Sequence, residues 1–592
     1  MKGKTLTHAR TALCVLTSSL VAMLAANSSM AAGPPSPKPK FSNAVAFDVS
    51  RPARDIKPSL ARAPVATDTI RDIRPERGPL TLDQGFSGDG ALFPSAARLM
   101  APLSAAPAIA APLVTFEGLS SQDNFNIFGF RVNPPDPVGD VGPNHYVEMT
   151  NLAYAVYDKT GKVLVGPVDI GALWAGFAVD DCTDASGDPI VLYDQLADRW
   201  ILSQFTTRGA PYYYNCVAIS KSGDPTGEYY RYAFVTQVAV IDGMPYGYFP
   251  DYPKYSVWTD SYILTTRDFG DAGGYGISVY ALEKNKMLAG NPNARAVQFF
   301  LDSDVVPINL IGDGLLPADI DGTRRPIDGI SVPIVGTQDD NGPYGATSDA
   351  LNIWELTVQW RANPAATLAF AAQLPVASFD SIFPCPGGGR RCLPQPGVAV
   401  NQYLDILSYR QRPTYRLAYR NFGKYEALVT NQSVEAAPGV AGVRWYEIRR
   451  DRPLPNTPSV FSIFQQGTYA PGDGVHRWMG SAAMDRQGNI ALGYSVVNGV
   501  NVFPGIRYTG RLAADPLGQM TLGEDTIVNG TGVQRSVNNR WGDYTSLNVD
   551  PTDDCTFWYV NEYYTAAGQA SSVAGWQTRI GAFKLPGCVA RQ

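Results

Sequence analysis

Seven times along this chain, a short run carrying Asp or an Arg-Trp pair leads into an apolar strand, a turn and a second, aromatic strand. That recurrence restricts the fold more than any other feature, because one supersecondary unit repeated at intervals must bury its apolar faces against its own copies. The clear copies lie at 135–149, 187–203, 250–265, 477–494 and 540–559, and weaker ones at 317–328 and 403–407. Their starts, near 136, 188, 251, 319, 405, 478 and 541, are 52, 63, 68, 86, 73 and 63 residues apart. This period suits four strands with long loops, and such units arranged radially make a β-propeller. The expected fold is therefore all-β, a seven-bladed propeller over 113–588, with two stacked β-sandwich domains as the alternative. The charged fraction of 17%, with 57 Gly, 46 Pro and 31 Tyr, agrees with short strands and tight turns rather than long surface helices. The seventh copy offers three strands, at 544–549, 555–561 and 576–583, before the chain ends. A three-stranded blade leaves an open edge, so residues 113–117 are expected to add the fourth strand and close the ring.

Upstream of the repeats, residues 1–31 read as a secretory signal: Lys2, Lys4 and Arg10, an apolar stretch at 11–26, and Ser29-Met30-Ala31 as a small-x-small cleavage site. The apolar stretch is short for a membrane span and is broken by Thr17, Ser18 and Ser19. Residues 32–112, rich in Pro and Ala without periodicity, read as a spacer or propeptide. Cleavage moves the formal charge from -6 to -9, since three cations leave and no acid does. An acidic exported chain has no basic footprint for nucleic acid and no membrane span after processing; a secreted, periplasmic or cell-surface monomer is expected.

Six cysteines remain in the processed chain, an even number, which reads as three disulfides. Proximity suggests Cys182 with Cys216, Cys385 with Cys392 and Cys555 with Cys588, among the 15 pairings that six cysteines allow. Only His145 and His476 survive cleavage, and HExxH, Walker A and GxSxG strings are absent, so metalloprotease, nucleotide-binding and α/β-hydrolase readings have no support.

Candidate chemistry sits where the first strand of each repeat begins, at one mouth of the central channel. Asp136, Asp188, Asp251, Asp319 or Asp321, Asp405 and Asp543 stand there in six of the seven copies. Three uses of such a ring remain open. Each Asp can fix its own loop by accepting backbone N–H bonds. Carboxylates such as Asp136, Asp188 and Asp405 can hold Ca²⁺, which takes six to eight oxygen ligands. A pair drawn from Asp140, Asp188, Asp251 and Asp543 can supply the acid and base that glycoside cleavage needs. Arg420, Arg444, Arg477, Arg507 and Arg540 recur beside aromatic or polar residues in the last three copies, and their forks suit a carboxylate or sulfate of an acidic glycan, or an Asp of a neighbouring blade. Trp478 and Tyr544, with Tyr252 and Trp541, can stack on sugar rings or fill blade cores.

The segments 136–146, 187–205, 415–449, 465–511 and 540–563 resemble a family of largely uncharacterised exported bacterial proteins with a sialidase-like propeller appearance. The resemblance spans about 113–588 and implies a propeller and export, with no assigned activity and no catalytic residues to carry over. Sialidase Asp-boxes, Ser-x-Asp-x-Gly-x-x-Trp, are absent, and 483–489 is a loose echo. The expected function is binding of an extracellular polysaccharide or glycoconjugate at the Asp- and Arg-rich mouth, with hydrolysis or elimination as its chemistry and no required cofactor. The alternative is a non-catalytic binding or adhesion propeller with structural Ca²⁺.

Overall fold

The structure is a computed structural model that describes residue 1 and residues 36–60, 69–73, 85–92, 109–406, 411–451 and 458–590. The expected signal sequence lies outside the described residues apart from Met1. The fold is all-β, with only short helices such as Ser121–Phe128 between strands. Strands follow one another as antiparallel four-stranded meanders. The first is Val138–Val141, His145–Thr150, Ala153–Asp158 and Val163–Asp169, and the second Ile190–Asp194, Arg199–Phe205, Tyr214–Ser220 and Tyr229–Val235. Equivalent units begin at Met244–Val257, Leu316–Ile320, Thr414–Asn421 and His476–Met484. Ser546–Val549, Thr556–Tyr564 and Trp576–Lys584 form the seventh, and Val114–Ser120 pairs antiparallel with Trp576–Lys584 as its fourth strand. The first strands of consecutive units pack side by side, and that of the seventh returns to that of the first.

These strands are buried on both faces, so they read as near-continuous apolar runs, for example Ile490–Val497. Between sheets the core holds Trp174, Trp200, Trp258 and Trp354, all essentially inaccessible to water. The three disulfides are Cys182–Cys216, Cys385–Cys392 and Cys555–Cys588, each joining sequence neighbours. Among the described residues no helix is long and apolar enough to cross a membrane.

Pieces of the stretch read as a spacer or propeptide pair with the sheets. Lys40–Asn43 pairs with Arg295–Leu301 on the outer edge of the third unit, and Ala46–Val49 with Tyr229–Val235 on that of the second. Ile70–Asp72 pairs in parallel with Arg131–Asn133, and Leu92 bridges to Thr468. Outer strands leave unpaired N–H and C=O groups, and three- or four-residue pieces satisfy them without a long periodic pattern.

Candidate functional site

Five units enter or kink their first strand through a non-glycine residue in the left-handed region: Asp136 (φ 48°), Asp188 (41°), Tyr252 (52°), Gln411 (45°) and Met479 (49°). Asp tolerates this conformation better than most residues, whereas Tyr, Gln and Met need support from their surroundings. The repeat thereby fixes the alignment of Asp136-Pro137 and Asp188-Pro189 with Tyr252-Pro253, so Tyr252, not Asp251, occupies the Asp position of the third unit. The expected single ring of carboxylates divides into two tiers along the first strands. Asp136, Asp188 and Asp543 stand two or three residues ahead of their first strands and Asp251 within Met244–Val257, and this end of the strands is called the mouth below. Asp140, Asp319 and Asp321 lie further along those strands, Asp140 about 13 Å beyond Asp136 at the rise of an extended chain.

At the mouth a hydrogen-bond chain runs across units. Asp136 accepts from the Asp543 N–H at 2.6 Å and from Asn151 Nδ2 at 2.7 Å, while Asn151 Oδ1 accepts the Asp188 N–H at 2.8 Å. The Tyr544 hydroxyl lies 3.2 Å from Asp188 Oδ2 and 3.1 Å from the Pro253 carbonyl. Lys254 is buried beneath this belt, its amine 2.7 Å from the Tyr252 ring centre and 4.0 Å from that of Tyr544. Arg412 stacks on the same Tyr252 ring at 3.8 Å, and Arg540 reaches Asp543 at 3.1 Å. Glu562 accepts from the Gly542 N–H, and its Oε2 is buried without a hydrogen-bond partner.

Burial sets the proton inventory of this mouth. Loss of hydration, followed by repulsion from Asp136, Asp251 and Asp543, holds the Asp188 carboxyl well above the usual carboxylate range. Burial and then Asp543 raise Asp136, and burial raises Glu562 well above its ordinary value. Lys254 moves the opposite way, far below an ordinary lysine, through burial and then Arg412, with Asp188 opposing. Burial thus shifts the acid and the amine in opposite directions, each toward its uncharged form. Asp251 is the most open of the four carboxylates, its side chain 23% exposed.

The second tier is an ion-pair lock. Arg416 Nε donates to Asp319 at 2.9 Å, and its Nη atoms reach Asp321 at 3.0 and 2.6 Å. Asp140 accepts the N–H groups of Val141 and Tyr193, each at 2.7 Å, and burial pushes its carboxyl up to about 8 despite Arg416. These groups line a cavity of about 20 Å³, the space of a single water. Asp140 is therefore placed apart from the carboxylates it was grouped with.

The remaining expected residues are engaged elsewhere. Asp405 pairs with Arg390 at 2.6 Å and does not join Asp136 and Asp188 in one ligand set. Among the described residues the one trio of His, Cys, Asp or Glu side chains whose ligand atoms lie within 4.8 Å of one another is Asp339, Asp340 and Asp349, none of them expected, and Asp339 and Asp349 accept backbone N–H bonds. Of the five arginines only Arg540 belongs to the mouth. Arg420 ties to Asp554 at 2.8 Å, Arg444 to Asp89 at 2.5 Å, Arg477 to Asp473 and Glu524, and Arg507 to Glu524 at 2.8 Å. Trp478 is inaccessible and packs on Trp541 at 5.1 Å, so both fill the core rather than present a stacking face. Lys254, Arg412, Arg416 and Glu562 were not singled out in the sequence. The readable signal for Lys254 was its alignment with Val138 and Ile190, apolar residues two places after the left-handed position.

No family model matches the chain, and no curated protein matches it. Among solved structures it is similar to an alpha-L-arabinanase of Penicillium chrysogenum complexed with arabinobiose, at 10% identity over 68% of this chain and 94% of that one, with a TM-score of 0.31. It is also similar to an endo-1,5-alpha-L-arabinanase of Thermotoga petrophila RKU-1 in complex with TRIS (12% identity, 76% and 98% of the two chains, TM-score 0.25). A third is an endo-arabinase of Bacteroides thetaiotaomicron VPI-5482 (12%, 56% and 94%, TM-score 0.24). Superpositions at these scores carry no weight for fold or activity.

Proposed function

We propose that the chain is an exported seven-bladed β-propeller, its ring closed by Val114–Ser120, that binds an extracellular glycan at the mouth around Asp136, Asp188, Asp251 and Asp543. The cyclic packing of the seven first strands supports the blade count. Acid/base cleavage at this mouth rests on one observation: the Lys254 amine, buried between Tyr252 and Tyr544 and in the field of Asp188, is shifted toward its neutral form while Asp188 is shifted toward its protonated one. A neutral amine accepts a proton, from water in hydrolysis or from a sugar carbon in elimination, and a protonated carboxyl returns one to the leaving oxygen. The test is a polysaccharide panel assayed for new reducing ends and for unsaturated products, with wild type, Asp188→Asn and Lys254→Met. Product from wild type that both variants abolish, with melting temperatures retained, supports the reading; equal product from all three chains defeats it.

The second reading, a non-catalytic binding or adhesion propeller, draws on the near-complete burial of Asp136, Asp188, Lys254 and Tyr544, whose contacts join four units. In that case some polysaccharides are retained on affinity gels and none is cleaved.

A further inference from the structure

The segment ahead of the repeats is fastened to the sheets by aspartates seated on arginines. Asp48 takes Arg231 in a fork, at 2.7 and 2.6 Å. Asp89 meets Arg444 at 2.5 Å with both side chains fully buried, and Thr468 Oγ1 supplies Asp89 with a further donor at 2.8 Å. Asp72 lies 3.9 Å from Arg540, whose Nη1 also donates to the Ile73 carbonyl at 3.4 Å. The planar guanidinium matches a carboxylate better than any other side chain does; Asp48 fills its arginine's fork, Asp89 takes one arm of its own, and Asp72 stands beside Arg540 at ion-pair distance without a hydrogen bond between them.

The contact at Arg540 differs from the other two in position and in strength. It lies at the mouth, because Arg540 also bonds Asp543, and Asp543 bonds Asp136. The strand that delivers it, Ile70–Asp72, forms only a two-stranded sheet with Arg131–Asn133, which leads directly into Pro134, Pro135 and Asp136. Ile73 tucks into a small cluster with Val132 and Leu152, and a Cβ on Gly187, the residue before Asp188, would meet its Cγ2 at 3.0 Å. Ile70, Arg71 and Asp72 remain wholly or partly exposed. A three-residue parallel strand with one buried side chain opens at low free-energy cost compared with the meanders beneath it.

We propose that Thr69–Ile73 is a built-in stand-in for the ligand, and that the ligand is an acidic polysaccharide whose carboxylate takes the place of Asp72 beside Arg540. This rests on the reading of the mouth as a glycan site and names the glycan's class. Displacement of the strand exposes the Arg540 fork and the floor over Gly187 and Asp188 together, so an anionic polymer and the strand compete for one surface.

The experiment uses the full chain and two polymers, polygalacturonate and a neutral arabinan, in affinity electrophoresis. The double variant Asp72→Asn with Ile73→Asn unseats the strand, and Asp72→Asn alone serves as a milder companion should the double variant lose its fold. The expected result is retention on polygalacturonate tighter by roughly threefold than wild type, the scale of one partly exposed ion pair, with arabinan retention unchanged. Equal retention of wild type and variants on polygalacturonate, or a rise on both polymers alike, overturns the proposal while leaving a glycan-binding mouth intact. Retention of no chain on any polysaccharide of a wider panel overturns the functional reading and this proposal with it.

Discussion

Replacing Arg416 with Met removes the cation that joins the fourth and fifth units at the second tier. The guanidinium makes three hydrogen bonds of 2.6–3.0 Å to Asp319 and Asp321, and all three side chains are under 10% exposed. Breaking a buried pair from one side strands its partners in a poorly hydrated place, at a cost of about 3–5 kcal/mol. Unfolding entropy of about 2.1 cal/mol/K per residue over the ~480 residues of the repeats gives about 1 kcal/mol/K, so the melting temperature should fall by about 3–5 °C at pH 8. The loss depends on pH with a defined sign. Burial raises the Asp319 carboxyl and Arg416 lowers it, so the variant raises it further. A carboxyl raised on folding binds its proton more tightly in the native state, and the stability this gives is present at low pH and lost as pH climbs through the native value. The deficit relative to wild type should therefore be smaller at pH 5 than at pH 8. Scanning calorimetry at both pH values measures it, and adding Asp319→Asn and Asp321→Asn to the variant should recover most of the loss. A variant as stable as wild type at pH 8, or one equally impaired at pH 5, refutes the reasoning.

Wild type itself should melt at a lower temperature at pH 8.5 than at pH 5, because Asp140, raised to about 8, and Glu148 and Asp268, each raised to about 7, bind more protons folded than unfolded between about pH 4 and 8; a flat or rising profile contradicts this. Replacing Cys182 and Cys216 with Ser should cost about 4 kcal/mol for a separation of 34, against about 2 kcal/mol for Cys385 and Cys392 at a separation of 7, and calorimetry that reverses the order rejects the chain-entropy argument. Asp89→Asn should leave the buried Arg444 cation without its carboxylate and speed proteolytic removal of the upstream segment severalfold, measured by timed limited proteolysis; unchanged kinetics mean the pair does not hold that segment.

The repeated unit was legible because apolar runs and Asp-bearing turns recur at a regular period, and the strand at Val114–Ser120 followed from counting strands in the last copy. The two tiers were not legible. Asp136 stands two residues ahead of the strand Val138–Val141 and Asp140 within it, and only the rise over four places separates them. The displacement of Asp251 by Tyr252 depends on a left-handed kink inside a long strand, which no residue type announces when a Tyr takes it. Arginines beside aromatics were visible, but their partners, Asp89 for Arg444 and Glu524 for Arg477 and Arg507, come from other strands or from the upstream segment. That segment hid its strands because three or four residues pairing with an existing edge need no periodicity of their own.

The most direct test of the mouth as a working glycan site is product release from a polysaccharide panel, followed by reducing-end and unsaturated-sugar assays on wild type beside Asp188→Asn. A working mouth releases product from at least one polymer, and Asp188→Asn stops release while keeping the wild-type melting profile. Equal product from both chains, or neither cleavage nor retention of any polymer by wild type, contradicts it.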